Sequence, residues 1–524
     1  MRRLDTVVAL LLAVIPLVAL ARHLRVPYPI VLVLGGLLLG FVPGLPIIRL
    51  PPDVVLVVFL PPLLYWESLT SSLGEMRAQA GLVRTLVVGL VVVTMTSVAL
   101  VAHAIVPHLP WSSAFVLGAI VAPTDTVAFA VIAKRLALPH RTAAIVEAES
   151  LLNDATALVF YGAAVAAAVS GIFVLRAVIV SFVVSSLAAI ALGIAVGAFV
   201  RLMWRFVHDS DLQMAISVLA PFLAYLPAYS AGISGVLAVV AAGVVVSGAP
   251  AGTLGAETRA RSVGFWETIA FLMNAIIFVL VGLQLHPVLD ALRPYSHLVL
   301  LEMALAIAAT VIVVRVAWLF AQRYVLHLPY RFSTGADEWK HRLVASWSGF
   351  RGGVSLAAAL AIPTTLASGA PFPRRELSIF LTFAVIIVTL VGQGLTLPWL
   401  VTRLGLSHER ETQAVRRAMA LMAQAALARL HDLERQPRIS PDALAILRRR
   451  YEQRAQGYDG GGGHPDPGLR DYETLTRQLL VAQRQELRVL RERGTIDEHV
   501  VAWIAALLDL EEVELERLAA IEGG

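Results

Sequence analysis

Five ionisable residues interrupt long apolar stretches of this sequence, namely Asp125, Glu149, Asp154, Arg315 and Arg351. A charged side chain in such a stretch is costly unless it is paired or lines a wet cavity. Residues placed in this way therefore hold ions or protons, or they form buried ion pairs with one another. These five are the first candidates for chemistry.

The segment from Glu149 to Asp154 brings three kinds of oxygen together. On a helix, Ser150 and Asp154 share one face because they are four residues apart, and so do Glu149 and Asn153. Carboxylate, amide and hydroxyl oxygens suit a hard cation such as Na⁺. A carboxylate that either a proton or a cation can neutralise, but not both at once, is the minimum chemistry for exchanging the two. A purely structural polar network is the alternative.

Asp125 lies in a second polar segment, Pro-Thr-Asp-Thr from Pro123 to Thr126. Pro123 removes one helical hydrogen bond, and the neighbouring hydroxyl of Thr124 adds an oxygen. Backbone carbonyls freed in this way inside a membrane can coordinate a cation. The alternative is a proline kink in which Asp125 caps the broken half-helix, and this alternative is compatible with an ion site.

The two arginines have different expected roles. Arg315 lies in an apolar run, so it needs a partner, and Glu149 is the expected one in a structural ion pair. Arg351 lies in Gly349-Phe-Arg-Gly-Gly353, where three glycines weaken the helix around the charge. We expect Arg351 to hold a positive charge near the carboxylates.

The composition indicates a membrane protein. Of 524 residues, 58% are hydrophobic and 15% are charged, whereas soluble domains are about a quarter charged. The absence of cysteine excludes disulfides and thiolate metal sites, and we expect no cofactor. The net charge of +5 needs no nucleic-acid partner, because basic residues flank membrane spans.

The apolar runs predict an all-α polytopic membrane protein with a helical tail. About thirteen runs are long enough to cross a bilayer, and we expect the first to be a span rather than a cleaved leader. If spans 1–6 and 8–13 are inverted repeats, Asp125 and Arg351 both fall in the fifth member of a repeat, which predicts two broken helices that cross. The runs are 4–22, 28–44, 52–67, 80–106, 112–133, 140–170, 174–203, 212–228, 232–248, 265–285, 296–325, 343–368 and 377–402.

The chain is predicted to have two domains, a transmembrane domain over 1–402 and a cytoplasmic domain over 403–524. Loops assigned to the inner face hold about fifteen Arg and Lys residues against about seven outside, which predicts an external N-terminus and an internal C-terminus. In the tail we predict a helix over 407–434, a second after Ser440, a glycine-rich break at 457–468, and then two charged helices, the last of which begins at Thr495. Tuning of the membrane domain and a passive solvated tail are both open.

Four stretches resemble the bacterial branch of the cation/proton antiporter-1 family of Na⁺/H⁺ exchangers. They are Phe59–Tyr65, Pro123–Thr126, Glu149–Asp154 and Gly349–Ser355, and the run Glu-Ser-Leu-Leu-Asn-Asp is the most specific. The resemblance extends over roughly residues 5–402. Many members have proline where this chain has Thr126, which leaves the choice among Na⁺, Li⁺ and K⁺ open.

The resemblance implies a site and an assembly. Asp154 would be the carboxylate that binds the proton and, with Asp125, the Na⁺ ion; the neighbouring ligands would be Thr124 and Ser150. Asn153, in place of a second Asp, implies electroneutral one-for-one exchange. The Glu149–Arg315 pair is likewise implied, and Glu67 is the candidate match for a glutamate near the site in archaeal relatives. A homodimer is implied, in which a core domain moves past a dimerisation domain in the plasma membrane of a bacterium.

Three other functions compete with this interpretation. A K⁺/H⁺ antiporter would share the architecture, and the sequence does not separate it from a Na⁺/H⁺ antiporter. An intramembrane aspartyl protease could use Asp125 and Asp154 as a dyad. Neither aspartate follows the Gly-x-Gly of presenilin-like proteases, and that interpretation leaves Arg315 and Arg351 unexplained. A channel would need a continuous polar lining. We therefore expect a transporter and not an enzyme.

Overall fold

A computed structural model describes most of the membrane domain and short pieces of the tail. The described residues are 2–42, 55–70, 80–136, 138, 140–172, 175–249, 256–325 and 337–406, with tail pieces between 421 and 508. Within these ranges the secondary structure is helical, with no β-strand and one isolated bridge between Thr365 and Pro371. Of the predicted tail features, pieces 424–431 and 479–485 are helical. The glycine-rich break, Ser440 and Thr495 lie outside the described residues.

The first half of the membrane domain contains eight helices in the described ranges. Two π-helical segments accompany them, Val55–Phe59 before α3 and Thr85–Leu90 between α4 and α5. The helices are α1 (Arg2–His23), α2 (Tyr28–Gly40), α3 (Leu60–Thr70), α4 (Ala80–Arg84), α5 (Val91–Ile105), α6 (Trp111–Val121), α7 (Thr126–Leu136) and α8 (His140–Ser170).

The second half continues with ten helices in the described ranges. A third π-helical segment, Val388–Gln393, joins the last two. The helices are α9 (Leu175–Phe206), α10 (Ser210–Ser230), α11 (Gly235–Ser247), α12 (Ala256–Leu283), α13 (Leu285–Ala291), α14 (His297–Val325), α15 (Glu338–Trp347), α16 (Gly353–Leu360), α17 (Arg375–Ile387) and α18 (Gly394–Leu404).

The predicted helical membrane architecture is confirmed. In the described ranges seven helices, including joined ones, are long and apolar enough to cross a membrane, and four apolar helices are shorter. Each predicted span coincides with one of these helices, with the described segment 55–70, or with a pair of half-helices. The number thirteen stays a prediction. The predicted twelfth span, 343–368, was too long, because its helix ends at Leu360.

The chain divides into two compact units, Met1–Leu406 and Ser407–Gly524. The first unit ends four residues beyond the predicted boundary at 402. The reason is that α18 continues to Leu404, and Gly405 ends it with a left-handed backbone at φ 65°. A glycine at this position is a common helix end, since it adopts a positive φ without a steric penalty.

Small residues allow neighbouring helices to approach closely. A Cβ atom on Gly36 of α2 would collide with the backbone carbonyl of Val279 in α12, and Gly193 of α9 meets the carbonyl of Ala238 in α11 in the same way. Membrane helices associate through such close packing, because lipid tails are as apolar as the side chains. These contacts hold α2 against α12 and α9 against α11.

Two helices are interrupted in the middle of the domain. The first is broken between α6 and α7 over residues 122–125, and the second between α15 and α16 over residues 348–352. Both interruptions fall where the sequence predicts them, at Pro123 and at the glycines around Arg351. Freed backbone groups at this depth must find partners inside the protein.

Candidate functional site

The two interruptions cross and bond to each other. The backbone N–H of Asp125 donates to the carbonyl of Phe350 at 2.8 Å. The backbone N–H of Arg351 donates to the hydroxyl of Thr389 at 3.1 Å, in the π-helical segment before α18. The second break therefore supplies a partner to the first, and Thr389 holds the second break from a third element.

Arg351 holds the carboxyl end of α6. Its Nε donates to the carbonyl of Val121 at 3.0 Å and its Nη2 to that of Ala122 at 3.4 Å, while Nη1 bonds to the carbonyl of Gly349. The carbonyl end of a helix carries partial negative charge, so a guanidinium there is stabilised. The positive charge expected near the carboxylates is thus directed at a helix end.

Asp125 holds the amino end of α7. Its Oδ1 accepts the backbone N–H groups of Val127 at 2.9 Å and Ala128 at 3.1 Å. This is the capping arrangement that the sequence analysis gives as an alternative. The other carboxylate oxygen, Oδ2, lies so close to Gly352 that a Cβ there would overlap it. Asp125 also lines a cavity, so it caps α7 and contributes to the cavity wall at the same time.

Helix α8 holds the unwound segment through Thr124. Asn153 Nδ2 donates to Thr124 Oγ1 at 2.8 Å, and Ser150 Oγ donates to the Thr124 carbonyl at 2.5 Å. Thr124 Oγ1 in turn donates to Ser150 Oγ at 3.2 Å. Thr124 lines the cavity, whereas Asn153 and Ser150 contact Thr124 and are not among the lining residues. The role of these two residues as direct ion ligands stays a prediction.

Glu149 and Arg315 form a fully buried ion pair. Two parallel hydrogen bonds, of 2.5 and 2.9 Å, join the guanidinium to the carboxylate. Arg315 Nη2 also donates to the carbonyl of Ala345 at 3.1 Å. The pair therefore ties α8 to α14 and α15, next to the crossing. A Cβ atom on Gly349 would strike the Arg315 side chain, so this glycine gives the guanidinium its space.

Asp154 lines a cavity of about 50 Å³ beside the crossing. The side chain is buried, with 5% of its surface exposed, and its Oδ1 has no hydrogen bond to a described residue. Asp125, Thr124 and Glu67 line the same cavity, which is large enough for a water molecule or a small cation. A buried, unpaired carboxylate is costly, so Asp154 is stabilised when it binds a proton or a cation.

Two further polar residues line this cavity, and the sequence analysis gave neither of them a role. They are Asn274 of α12 and Ser355 of α16. The available signal was a lone amide in the apolar run Phe271–Leu283, and a serine that ends a stretch already singled out. Hydropathy alone does not reveal which way such neutral side chains point.

Crossed broken helices beside a buried carboxylate define a class of protein, the secondary transporters whose ion sites lie where two repeats meet. Residues 7–403 match the family described as sodium/hydrogen exchanger, transmembrane. The chain belongs to this family, and the resemblance drawn from its four sequence stretches is confirmed.

Individual relatives agree with this assignment. An uncharacterised Na⁺/H⁺ exchanger of Mycobacterium tuberculosis is 37% identical over 98% of this chain and 96% of its own length. A sodium, potassium, lithium and rubidium/H⁺ antiporter of Bacillus subtilis is 32% identical over 71% of this chain and 57% of its own. The solved structure of a sodium proton antiporter from Methanocaldococcus jannaschii shares the fold. It has a TM-score of 0.61 and 20% identity, and the match covers 78% of this chain and 100% of that one.

Proposed function

We propose that the chain exchanges Na⁺ or Li⁺ for H⁺ across the plasma membrane of a bacterium, with both ions competing for Asp154. The observation that carries this proposal is the buried Asp154 carboxylate, whose Oδ1 has no hydrogen bond to a described residue and which lines a cavity at the crossing of the broken helices. Family membership supplies the class of reaction.

The charges around the cavity support competition at one carboxylate. Asp125 and Arg351 are engaged with helix ends, and Glu149 is paired with Arg315, so these charges are balanced by fixed groups. Of the two other carboxylates that line the cavity, Glu67 and Asp154, we infer that Asp154 is the one whose neutralisation changes during the cycle, because its Oδ1 is buried without a partner among the described residues. A proton and a cation each neutralise it, and an unpaired charge is costly to move through the membrane. Only the occupied site would therefore cross.

The stoichiometry and assembly belong to the same proposal. Asn153 is a neutral amide beside Asp154, which supports one H⁺ exchanged for each monovalent cation. The resemblance supports a homodimer whose core moves past a dimerisation domain, with the transmembrane domain at 1–402 and a cytoplasmic domain at 403–524. The distribution of basic residues supports an internal C-terminus.

Potassium is the second candidate cation. The Bacillus subtilis relative is named as an antiporter of potassium and rubidium as well as of sodium and lithium. The Mycobacterium tuberculosis relative is named as a Na⁺/H⁺ exchanger. The residues that line the cavity do not separate these ions by charge, because all of them are monovalent. The choice depends on cavity size and ligand number.

The test is cation-driven proton movement in proteoliposomes that contain the purified protein and a pH-sensitive dye. Na⁺, Li⁺, K⁺ and Rb⁺ are added separately to the wild type, to Asp154→Asn and to Asp211→Asn. The last variant makes the same chemical change on a fully accessible side chain of α10. We expect a response to Na⁺ or Li⁺ in the wild type and in Asp211→Asn, and no response in Asp154→Asn.

Two results would contradict the proposal. One is a folded Asp154→Asn protein that retains exchange, which would place the proton and cation elsewhere. The other is a wild-type protein that responds to none of the four cations although it is monodisperse and inserted in the vesicles. A response to K⁺ and Rb⁺ alone would leave Asp154 in its role and replace Na⁺ as the substrate.

A further inference from the structure

The cavity receives a polar group from a helix outside the motifs. Asn274 lies in the middle of α12, and 7% of its surface is exposed. Ile277 and Phe278, three and four residues further along, line the same cavity. Residues with this spacing share one helical face, so this face of α12 is turned to the cavity with the amide on it.

The Asn274 side chain is nine-tenths buried, and it lines the cavity that also holds Asp154. A polar amide in an apolar span is costly unless it finds a partner, and such residues in membrane helices mark ion pathways. Its carbonyl oxygen is a hard neutral ligand, of the kind that alkali cations accept. A cation in the cavity would give this oxygen such a partner.

The position of α12 in the chain matches that of α3. In the first half, α3 is separated from the broken helix α6–α7 by the segment 80–105; in the second half, α12 is separated from α15–α16 by α14 with the short α13. Both helices place a polar residue at the cavity, Glu67 in α3 and Asn274 in α12. The two halves thus contribute one charged and one neutral side chain from equivalent elements.

We propose that Asn274 is a direct ligand of the transported cation and a determinant of its selectivity. This inference rests on the proposed exchange at Asp154. Asn274 Oδ1 adds a coordinating oxygen without adding charge, so it strengthens cation binding and leaves the one-for-one exchange unchanged. A proton needs a single acceptor, so the amide favours the cation over the proton. A ligand fixed on a packed helix also distinguishes ions by radius, which separates Na⁺ and Li⁺ from K⁺.

The experiment compares wild type, Asn274→Leu, Asn274→Asp and Ile276→Leu in the proteoliposome assay, with Na⁺, Li⁺ and K⁺ titrated separately. Asn274→Leu keeps the branched outline of the side chain and removes the ligand. Ile276→Leu is an apolar change on the same helix, at a residue outside the cavity lining. We expect Asn274→Leu to raise the half-saturating Na⁺ concentration roughly tenfold, the scale of one polar contact to a charged group. Its maximal rate should change less, and its preference for Na⁺ over K⁺ should fall. Ile276→Leu should resemble the wild type.

Asn274→Asp keeps the shape of the amide, so it decides the matter if Asn274→Leu does not fold. We expect it to change the half-saturating Na⁺ concentration severalfold and to shift the pH range of exchange. Wild-type saturation and selectivity in the folded Asn274 variants would overturn the inference, and so would an equal effect in Ile276→Leu. In both cases an active wild type and an inactive Asp154→Asn would leave the proposed function intact. A wild type inactive with every cation would remove the proposed function, and this inference with it.

Discussion

Asp154 differs from the other buried charges near the crossing in what surrounds it. The Asp125 carboxylate accepts two backbone N–H groups, and the guanidinium of Arg351 donates to backbone carbonyls. Glu149 is held by both nitrogens of Arg315. Asp154 Oδ1 has no such partner among the described residues. The fixed pairs build the site, and the remaining carboxylate oxygen is available to an ion.

Asn153→Asp tests the link between the neutral amide and electroneutral exchange. Asn153 Nδ2 donates to the Thr124 hydroxyl, and an Asp carboxylate would instead accept a hydrogen bond from that hydroxyl, so the unwound segment should keep its shape. The added charge must also be neutralised in each cycle, so we expect net charge movement. Exchange should then respond to an imposed potential, since one elementary charge gains about 2.3 kcal/mol per 100 mV. The measurement is the exchange rate in proteoliposomes with potassium gradients and an ionophore that set the potential.

Ser150→Ala is the matched control for this prediction. It removes the hydrogen bond that Ser150 donates to the carbonyl of Thr124, the residue that Asn153 also contacts, without changing the charge, so its exchange should remain independent of potential. A folded and active Asn153→Asp protein that is equally independent of potential would show that Asn153 does not set the stoichiometry.

The sequence predicts the charged members of the site better than its neutral members. Asp154, Asp125 and Arg351 stand out because a charge in an apolar run is rare and costly. Asn274 carries a smaller cost, and only the packing of α12 turns it to the cavity. The same limit applies to Ser150 and Asn153, since spacing places them on the faces of α8 but does not reveal that both bond to Thr124.

At the scale of elements, the ends of the half-helices organise the site. Pro123 and the glycines around Arg351 predict where the helices break, because proline lacks an N–H group and glycine weakens helices. The sequence indicates the local cap of α7 by Asp125, but not the bonds between the two breaks. These join residues more than two hundred positions apart, as in the bond from Asp125 to the carbonyl of Phe350.

The Glu149–Arg315 pair holds three elements together, and its removal tests how much the frame depends on it. Arg315→Met leaves the Glu149 carboxylate buried and unpaired, which costs about 3–5 kcal/mol. We expect the thermal unfolding temperature of the detergent-solubilised protein to fall strongly in Arg315→Met and in Glu149→Met. The double variant should recover much of the loss, because two apolar side chains leave no charge unpaired.

The contrast with Arg342 controls for the general effect of losing a buried arginine. Arg342 pairs with Glu338 within α15, four residues apart, and also bonds to the carbonyl of Leu319. Arg342→Met should also lower the thermal unfolding temperature. Adding Glu149→Met to it should not restore the unfolding temperature, whereas we expect Glu149→Met to restore it in part when added to Arg315→Met. If the double Glu149 and Arg315 variant is as unstable as the worse single variant, the pair does not act as a unit.

At the scale of the whole molecule, the bilayer limits the choice of fold. Backbone groups in lipid must bond internally, so long apolar runs become helices, and hydropathy alone predicts their order along the chain. It does not predict where they end. The predicted twelfth span extended beyond Leu360 because its apolar residues continue into a turn, where Thr365 and Pro371 form a bridge.

The orientation in the membrane can be tested directly, because the chain has no cysteine and every introduced thiol is unique. Ser170 ends α8 and is exposed, and the predicted orientation places it outside. Asp211, in the first turn of α10, is also exposed and is predicted to lie inside. We expect an impermeant maleimide to label Ser170→Cys in intact cells and Asp211→Cys only in inside-out vesicles.

The pair of thiols brackets α9, so their labels must fall on different sides if α9 crosses the bilayer once. The apolar span within it, Ile179–Phe206, has 28 residues, which is about 42 Å at 1.5 Å per residue and more than the hydrocarbon core requires. Labelling of both positions from one side would mean that α9 does not cross the membrane as a single span. Labelling on the reversed sides would leave the fold unchanged and reverse its orientation in the membrane. The basic loops would then lie outside, against the usual distribution of positive charge.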